Sequence, residues 1–471
     1  MIKLFVILIL VISLFSNEVS LNMIEIGDLN RASDVSIVDI NNDDLLDIIT
    51  TAYNDGVVVF INEGNFSFRR VPVAAYYEKP FSRSIRGKLH DETKLDFNND
   101  GFADMLSCAM DDNSLTLWLN NQDETFTEVV IDSMIMGSHT VDVQDLNNDN
   151  LVDILVSGKT NDLCYYINKG NLNFERYRFN NNGSFMTFVH SEDVDGNGKN
   201  DILAVDYAKG DLYYYAQMDS LEFDSVFVDN INGMHTAMLK DFDNDGDFDI
   251  LGAAYLGCKF VVWKNDGNGN FDIVFDKFAW GGSWLDMVDL DDDGDQDLIG
   301  TAEFDDYHFD FTWFENLEDS GDEEEWLFTT RDIEHTINKA SCVKAGDLNN
   351  DGKPDLVIAS NGGQKLLVYE NQGLVEISEN TIPLNQSLLR CYPNPFNPHT
   401  NIHFHIVNRG NVEVIIYNSL GQIVFSNQLG MVDSGDYSIK FDATSLNSGV
   451  YFCKLQNNGE GRAVVKLSLL K

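Results

Sequence analysis

A nine-residue acidic pattern, D-x-[DN]-x-[DN]-x-x-x-D, occurs seven times in this 471-residue chain. The copies begin at Asp39, Asp96, Asp145, Asp193, Asp241, Asp289 and Asp347, at intervals of 57, 49, 48, 48, 48 and 58 residues. A period in this range marks an array of supersecondary units, each burying its apolar face against the next.

The spacing inside each copy fits metal coordination. A stretch such as Asp241–Asp249 (DFDNDGDFD) repels itself unless a cation sits within it. Oxygens at positions 1, 3 and 5, a backbone carbonyl at 7 and a carboxylate at 9 can wrap one hard cation. Calcium accepts six to eight oxygens in a flexible geometry, whereas magnesium demands a tighter octahedron. The expected ligands of up to seven structural calcium ions are therefore Asp39, Asn41, Asp43 and Asp47; Asp96, Asn98, Asp100 and Asp104; Asp145, Asn147, Asp149 and Asp153; Asp193, Asp195, Asn197 and Asp201; Asp241, Asp243, Asp245 and Asp249; Asp289, Asp291, Asp293 and Asp297; and Asp347, Asn349, Asp351 and Asp355. Position 6 needs a sharp turn, which Gly101, Gly198, Gly246, Gly294 and Gly352 supply; Asp44 and Asn150 tolerate the same left-handed conformation. An EF-hand would carry an acid at position 12 and flanking helices. Here position 12 is Thr50, Ser107, Val156, Ala204, Gly252, Gly300 or Ile358. The apolar runs that begin at position 9 (DIIT, DMLS, DILV, DILA, DILG, DLIG, DLVI) read as buried strands.

A second landmark follows each loop, an aromatic and then an amide: Phe60/Asn62, Trp118/Asn120, Tyr166/Asn168, Tyr215/Gln217, Trp263/Asn265, Phe314/Asn316 and Tyr369/Asn371. In most repeats a phenylalanine comes eight residues after that aromatic, as at Phe68, Phe126, Phe174, Phe223 and Phe271. Each repeat thus holds four strands, and seven such units predict an all-β, seven-bladed β-propeller. The last repeat has no phenylalanine after Gly373, while Leu21–Ile26 (LNMIEI) stands 18 residues before Asp39. The N-terminal strand is therefore expected to complete the seventh blade and remove an open edge.

These loops and their aromatics resemble FG-GAP/VCBS-type repeats, the calcium-bearing blades also found in integrin α-subunit heads, over about residues 21–375. The resemblance implies fold and metal rather than one activity, since such repeats serve adhesion, sugar binding and catalysis.

The two ends read differently. Residues 1–16 (MIKLFVILILVISLFS) have one lysine, an apolar core and small polar residues, the pattern of a secretory signal peptide, and no other segment suits a membrane span. Residues 376–390 read as a linker. Three of the seven prolines fall in Tyr392–Pro398 (YPNPFNP), and the alternating runs that follow predict a small β-sandwich over residues 391–471. YPNPFNP, Tyr417–Val424 (YNSLGQIV), Ser448–Tyr451 (SGVY) and the basic Lys466 and Lys471 closely resemble the type A sorting domain of the type IX secretion system. That resemblance implies delivery through the type IX machinery to the exterior or outer surface of a didermic bacterium.

A formal charge of −46 leaves no basic field for nucleic acid. Four of the six cysteines, Cys108, Cys164, Cys258 and Cys342, are expected in blade strands; Cys391 and Cys453 are candidates for a bridge in the sandwich.

With metal loops on the bottom of the ring, the connections between blades lie on top. Six residues before each loop stand Ser33, His90, His139, Thr187, His235, Ser283 and Ser341, beside the central channel. The plainer reading is a hydrogen-bonded lining; the sharper one makes His90, His139 and His235 candidate catalytic groups. The first repeat carries an insertion with Tyr76, Tyr77, Lys79, Phe81, Arg83, Arg86 and Lys88, a cationic and aromatic loop suited to an anionic ligand such as a uronate or sulfated sugar. Trp280 and Trp284 are expected in another connection, where they could stack on sugar rings or simply pack. Glu318–Trp326 reads as a solvated acidic loop. Two functions remain: a secreted binding or adhesion module for polysaccharide or a surface protein, or a propeller polysaccharide lyase or hydrolase with histidine or tyrosine as base and Arg83 or Arg86 against a uronate carboxylate.

Overall fold

The computed structural model describes residues 18–471 except 75–81, 89–92, 161–162, 180–183, 219–220, 304–310, 318–327, 335–336, 376–388, 393–395, 407–408, 419–421, 434, 458–459 and 470. The signal segment, most of the linker, the acidic insertion at 318–326, and Tyr76, Tyr77, Lys79, Phe81 and His90 thus lie outside the described residues. So do the side chains of Arg83 and Cys391.

Seven four-stranded sheets follow one another along Val19–Leu374. In blade 1 the strands a to d are Ala32–Val38, Asp47–Ala52, Gly56–Asn62 and Phe68–Ala74, paired in sequence as an antiparallel meander. Strands b and c are buried throughout, as their unbroken apolar runs require, while strand d alternates between half-buried and exposed. The a strands of neighbouring blades pack side by side around the axis. The core lies between blades: Ile49, Val57 and Val59 of blade 1 meet Ile85, Met105 and Trp118 of blade 2. Burying each such side chain contributes ~2 kcal/mol.

Blade 7 closes the ring as expected. Its strands a to c are Ala340–Gly346, Asp355–Ser360 and Lys365–Val375, and its outer strand is Glu18–Asp28 from the N-terminus. Ser20 Oγ donates to Gln372 Oε1 at 3.1 Å, Asn22 Nδ2 donates to Glu370 Oε2 at 2.9 Å, and Lys365 pairs with Glu25.

Each a strand after blade 3 opens with a bulge at the predicted channel-lining residue: Thr187, His235, Ser283 and Ser341 all fall there, as does Ser33 in blade 1. Blade 2 departs from the expectation. Its a strand is Ser82–Arg86, with Ser84 opposite Cys108 and Arg86 opposite Leu106, so the bulge position belongs to Arg83 and not to His90. The extra residues are split. Some precede strand a; the rest fall between Lys88 and Lys94, which bridge each other before the chain reaches Asp96.

Residues 375–471 form a separate unit. One sheet holds Leu389–Tyr392, His399–Ile406 and Gly435–Asp442; the other orders Ile423–Val432, Gly410–Asn418, Gly449–Asn457 and Glu460–Leu469. Ile402, Phe404, Val414, Ile416, Cys453 and Leu455 are among the side chains of its core. Among the described residues no helix is long and apolar enough to cross a membrane.

Candidate functional site

All seven acidic loops join strand a to strand b, on one face of the ring. Their frame is the same throughout. The position-5 and position-6 amides donate to position 1: Asp43 N to Asp39 Oδ1 at 3.2 Å and Asp44 N to Asp39 Oδ2 at 3.0 Å in the first loop. Position 6 is left-handed as expected, with Gly294 at φ 100° and Asn150 at 66°. Position 4 is left-handed too, at Asn42, Asn99, Asn148, Gly196, Asn244, Asp292 and Asn350. That second turn was hidden in the sequence because five of the seven residues are asparagines that look ordinary among the loop's other acids and amides.

Position 9 has a further role. Asp47 is fully buried; its Oδ2 accepts from Ile40 N at 2.9 Å and its Oδ1 from Asn62 N at 2.7 Å. The same pair of bonds recurs at Asp104, Asp153, Asp201, Asp249, Asp297 and Asp355. Burial pushes these carboxyls up, to about 7 at Asp47 and about 8 at Asp297, against the backbone N–H bonds that favour the charged form.

Three loops bring three carboxylates together within 4.8 Å: Asp193, Asp195 and Asp201; Asp241, Asp243 and Asp245; Asp289, Asp291 and Asp293. Among the described residues, buried oxygens of Asp241, Asp243 and Asp291 (Oδ1 in each) have no hydrogen-bond partner. Unpaired buried carboxylate oxygens are costly without a positive charge, so these loops fit a hard cation. The other four loops carry asparagine at position 3, and in two of them its amide closes the loop, Asn41 Nδ2 to Asp43 Oδ2 at 2.9 Å and Asn98 Nδ2 to Asp100 Oδ2 at 3.0 Å. In the fifth loop Lys264 pairs with Asp243 and lies 3.4 Å from Asp245 Oδ2, so an ammonium competes for that site.

The opposite face carries the turns between strands b and c and the connections between blades. A pocket of about 260 Å³ opens there, lined by Met110, His139, Phe185, Thr187, Tyr207, His235, Tyr255 and Glu303. The sequence had placed His139 and His235 on this face, and their rings lie 5.8 Å apart, edge to face. Phe185 packs against His139, while Tyr207 and Tyr255 flank His235. The Nδ1 of His139 lies 2.8 Å from the Thr187 carbonyl, which can only accept, so in the neutral ring this nitrogen carries the proton and Nε2 the lone pair. Tyr207, Tyr255 and Glu303 come from strand b–c turns, where no repeat-wide pattern marked them. On the same face Trp280, 37% exposed, packs beside exposed Phe278 at 5.7 Å.

Other expected ligand residues lie elsewhere. Trp284 is 6% exposed on strand a of blade 6 (Gly282–Val288); it faces the axis against Phe188 and beneath Lys344, whose Nζ is 4.6 Å from its ring. Arg86 is not on a surface loop. It donates to Asp34 Oδ2 at 3.2 Å and stands 3.7 Å from Asp142 inside the channel. Arg83 and Lys88 are five residues apart along an extended segment, their backbones roughly 16 Å apart at about 3.3 Å per residue. Cys258, expected in a strand, sits in a b–c turn.

Halfway along the axis each blade contributes one side chain at the same register: Ser36, Arg86, Asp142, His190, Met238, Asp286 and Lys344. Lys344 Nζ donates to Asp286 Oδ2 at 2.7 Å. Burial opposes charge on Asp286, yet Lys344 and Lys240 outweigh it and hold the carboxyl down at about 2.

The FG-GAP-like repeat model matches residues 96–156 and 145–204, and the secretion system C-terminal sorting domain model matches residues 390–469. No curated protein matches the chain. Similar solved structures include BBS1N in complex with ARL6DN, at 8% identity over 75% of this chain and 95% of that one with a TM-score of 0.48. Another is a protein from Lactobacillus plantarum, at 10% identity over 82% and 95% of the two chains with a TM-score of 0.46. The chain is thus a seven-bladed propeller that carries FG-GAP-like repeats over residues 96–204, followed by a type IX C-terminal sorting domain over residues 390–469.

Proposed function

We propose that the protein is exported through the type IX machinery and acts outside the cell as a calcium-stabilised binding propeller whose ligand is a glycan. The observation that carries this reading is the pocket of His139, Tyr207, His235, Tyr255 and Glu303, with Phe278 and Trp280 exposed on the same face. Aromatic walls with a few convergent polar groups suit a sugar ring, which offers both apolar faces and hydroxyls. With Arg86 and Lys88 away from the pocket and Glu303 in it, hydroxyl contacts rather than a dense polyanion define the ligand there. A second reading, turnover of the bound glycan, is favoured by the basic Nε2 of His139 beside a second histidine. Full-length protein should be screened against neutral and acidic polysaccharides for retention and for depolymerisation. Tyr207→Ala with Tyr255→Ala should abolish retention; unchanged retention by that pair on every glycan bound by the native protein would overturn the site. His139→Ala should abolish depolymerisation if turnover occurs, and should only weaken retention if the protein only binds.

A further inference from the structure

The axial channel holds a second cavity that the glycan reading does not use. It measures about 160 Å³ and lies in the half of the channel nearer the metal loops. Among the described residues four cations line it, Arg86, Lys88, Lys240 and Lys344, together with His190, Ser36 and one carboxylate, Asp286. On a chain of charge −46 this concentration of positive groups is the reverse of the surface average.

The acids around it are largely engaged. Asp34 Oδ2 accepts from Ile85 N at 3.1 Å and from Ser84 Oγ at 2.8 Å besides Arg86. Asp142 Oδ2 accepts from Ser191 N at 3.0 Å, and Asp286 Oδ1 from Met287 N at 3.0 Å. Each therefore spends negative charge on backbone N–H groups as well as on its cation. His190 Nδ1 accepts from Leu239 N at 3.4 Å, which puts the proton of the neutral ring on Nε2 as a donor. Lys240, on the last residue of strand a of blade 5 (Met234–Lys240), has no hydrogen bond or ion pair among the described residues. A half-buried ammonium whose counter-charge, Asp286, is already bonded to Lys344, in a walled cavity with three more cations around it, is a place where an anion is strongly favoured.

We propose that this cavity binds one small oxoanion, a sulfate or phosphate group, held directly by Lys240, with Arg86, Lys88, His190 and Lys344 in the surrounding wall. The volume suits a single such group, free or at the end of a glycan substituent, and not a polymer backbone. The site is independent of the pocket on the opposite face. Because the acidic loops surround its end of the channel, cations bound in those loops lower the barrier to an entering anion.

Calorimetric titration of the full-length protein, in calcium, with sodium sulfate against sodium chloride at matched ionic strength tests it. Saturable binding specific to sulfate is expected. Lys240→Met should weaken it about tenfold or more, the loss of one charged hydrogen bond, while Lys240→Arg retains it. Tyr255→Ala should change nothing. Saturable binding of a sulfated monosaccharide as well as free sulfate identifies an end group; binding of free sulfate alone identifies the ion. Absence of saturable sulfate binding, or equal affinity in a folded Lys240→Met protein, would overturn the assignment.

Discussion

Asn62 ties two blades together with one side chain. Its Nδ2 donates to the Leu46 carbonyl of its own loop at 3.1 Å and to the Leu348 carbonyl of blade 7 at 2.7 Å. Asn120, Gln217, Asn265 and Asn371 reach back in the same way to Ile40, Leu146, Val194 and Leu290, each in the preceding blade. The amide was visible in the sequence as a landmark, but nothing local revealed that its second bond crosses some 70 to 80 residues of chain. Asn120→Ala leaves the buried Ile40 and Ala103 carbonyls without this donor. It should cost about 1–3 kcal/mol in denaturant unfolding, with the metal affinity of other loops unchanged. Lys264 is the other telling residue. The fifth loop, like the sixth, offers aspartates at positions 1, 3, 5 and 9, yet an ammonium from strand c enters it. Lys264→Met should therefore raise the metal affinity of that loop, measured by titration of calcium-depleted protein, whereas an affinity unchanged by the substitution would show that the lysine yields to metal freely.

At the scale of elements, the loop is a charge trap whose state follows pH. The position-9 carboxyls ordinarily titrate near 3.8 and are raised in the fold to about 6 at Asp104 and about 8 at Asp297. An acid with a raised pKa favours the folded state only while protonated. Its contribution is complete below about 4 and is lost as pH rises through 6 to 8. Chelator-treated protein should thus melt at a higher temperature at pH 5 than at pH 8. Calcium, which requires the deprotonated ligands, should reverse that order. The loops and strands b were legible because metal spacing and unbroken apolar runs repeat in register. The insertion in blade 2 was not, because sequence alone does not say whether added residues precede or follow an inner strand. Hence Arg86 read as a loop cation although pairing places it opposite Leu106, within the channel. Trp284 misled for a related reason: the bulge at Ser283 turns the next side chain toward the axis.

For the whole molecule, closure depends on residues far apart in sequence. Removing residues 18–28 would strip the outer strand from Lys365–Val375 and expose its hydrogen-bonding edge. That variant should melt at least several degrees lower and self-associate on size-exclusion chromatography; an unchanged monomer would show that the strand is dispensable. Deleting residues 391–471 should leave the propeller's melt intact and retain the protein in the periplasm, read by cell fractionation. The ring and its closure could be foreseen because the missing strand of the last repeat and the spare strand at the N-terminus answer each other. The order of strands in blade 7 also decides how the ring bears load. The chain leaves the propeller from Lys365–Val375, a strand bonded to Asp355–Ser360 on one side and to Glu18–Asp28 on the other. A pull transmitted through residue 375 must therefore break two ladders at once, whereas the same tether on an outermost strand would peel a single ladder bond by bond.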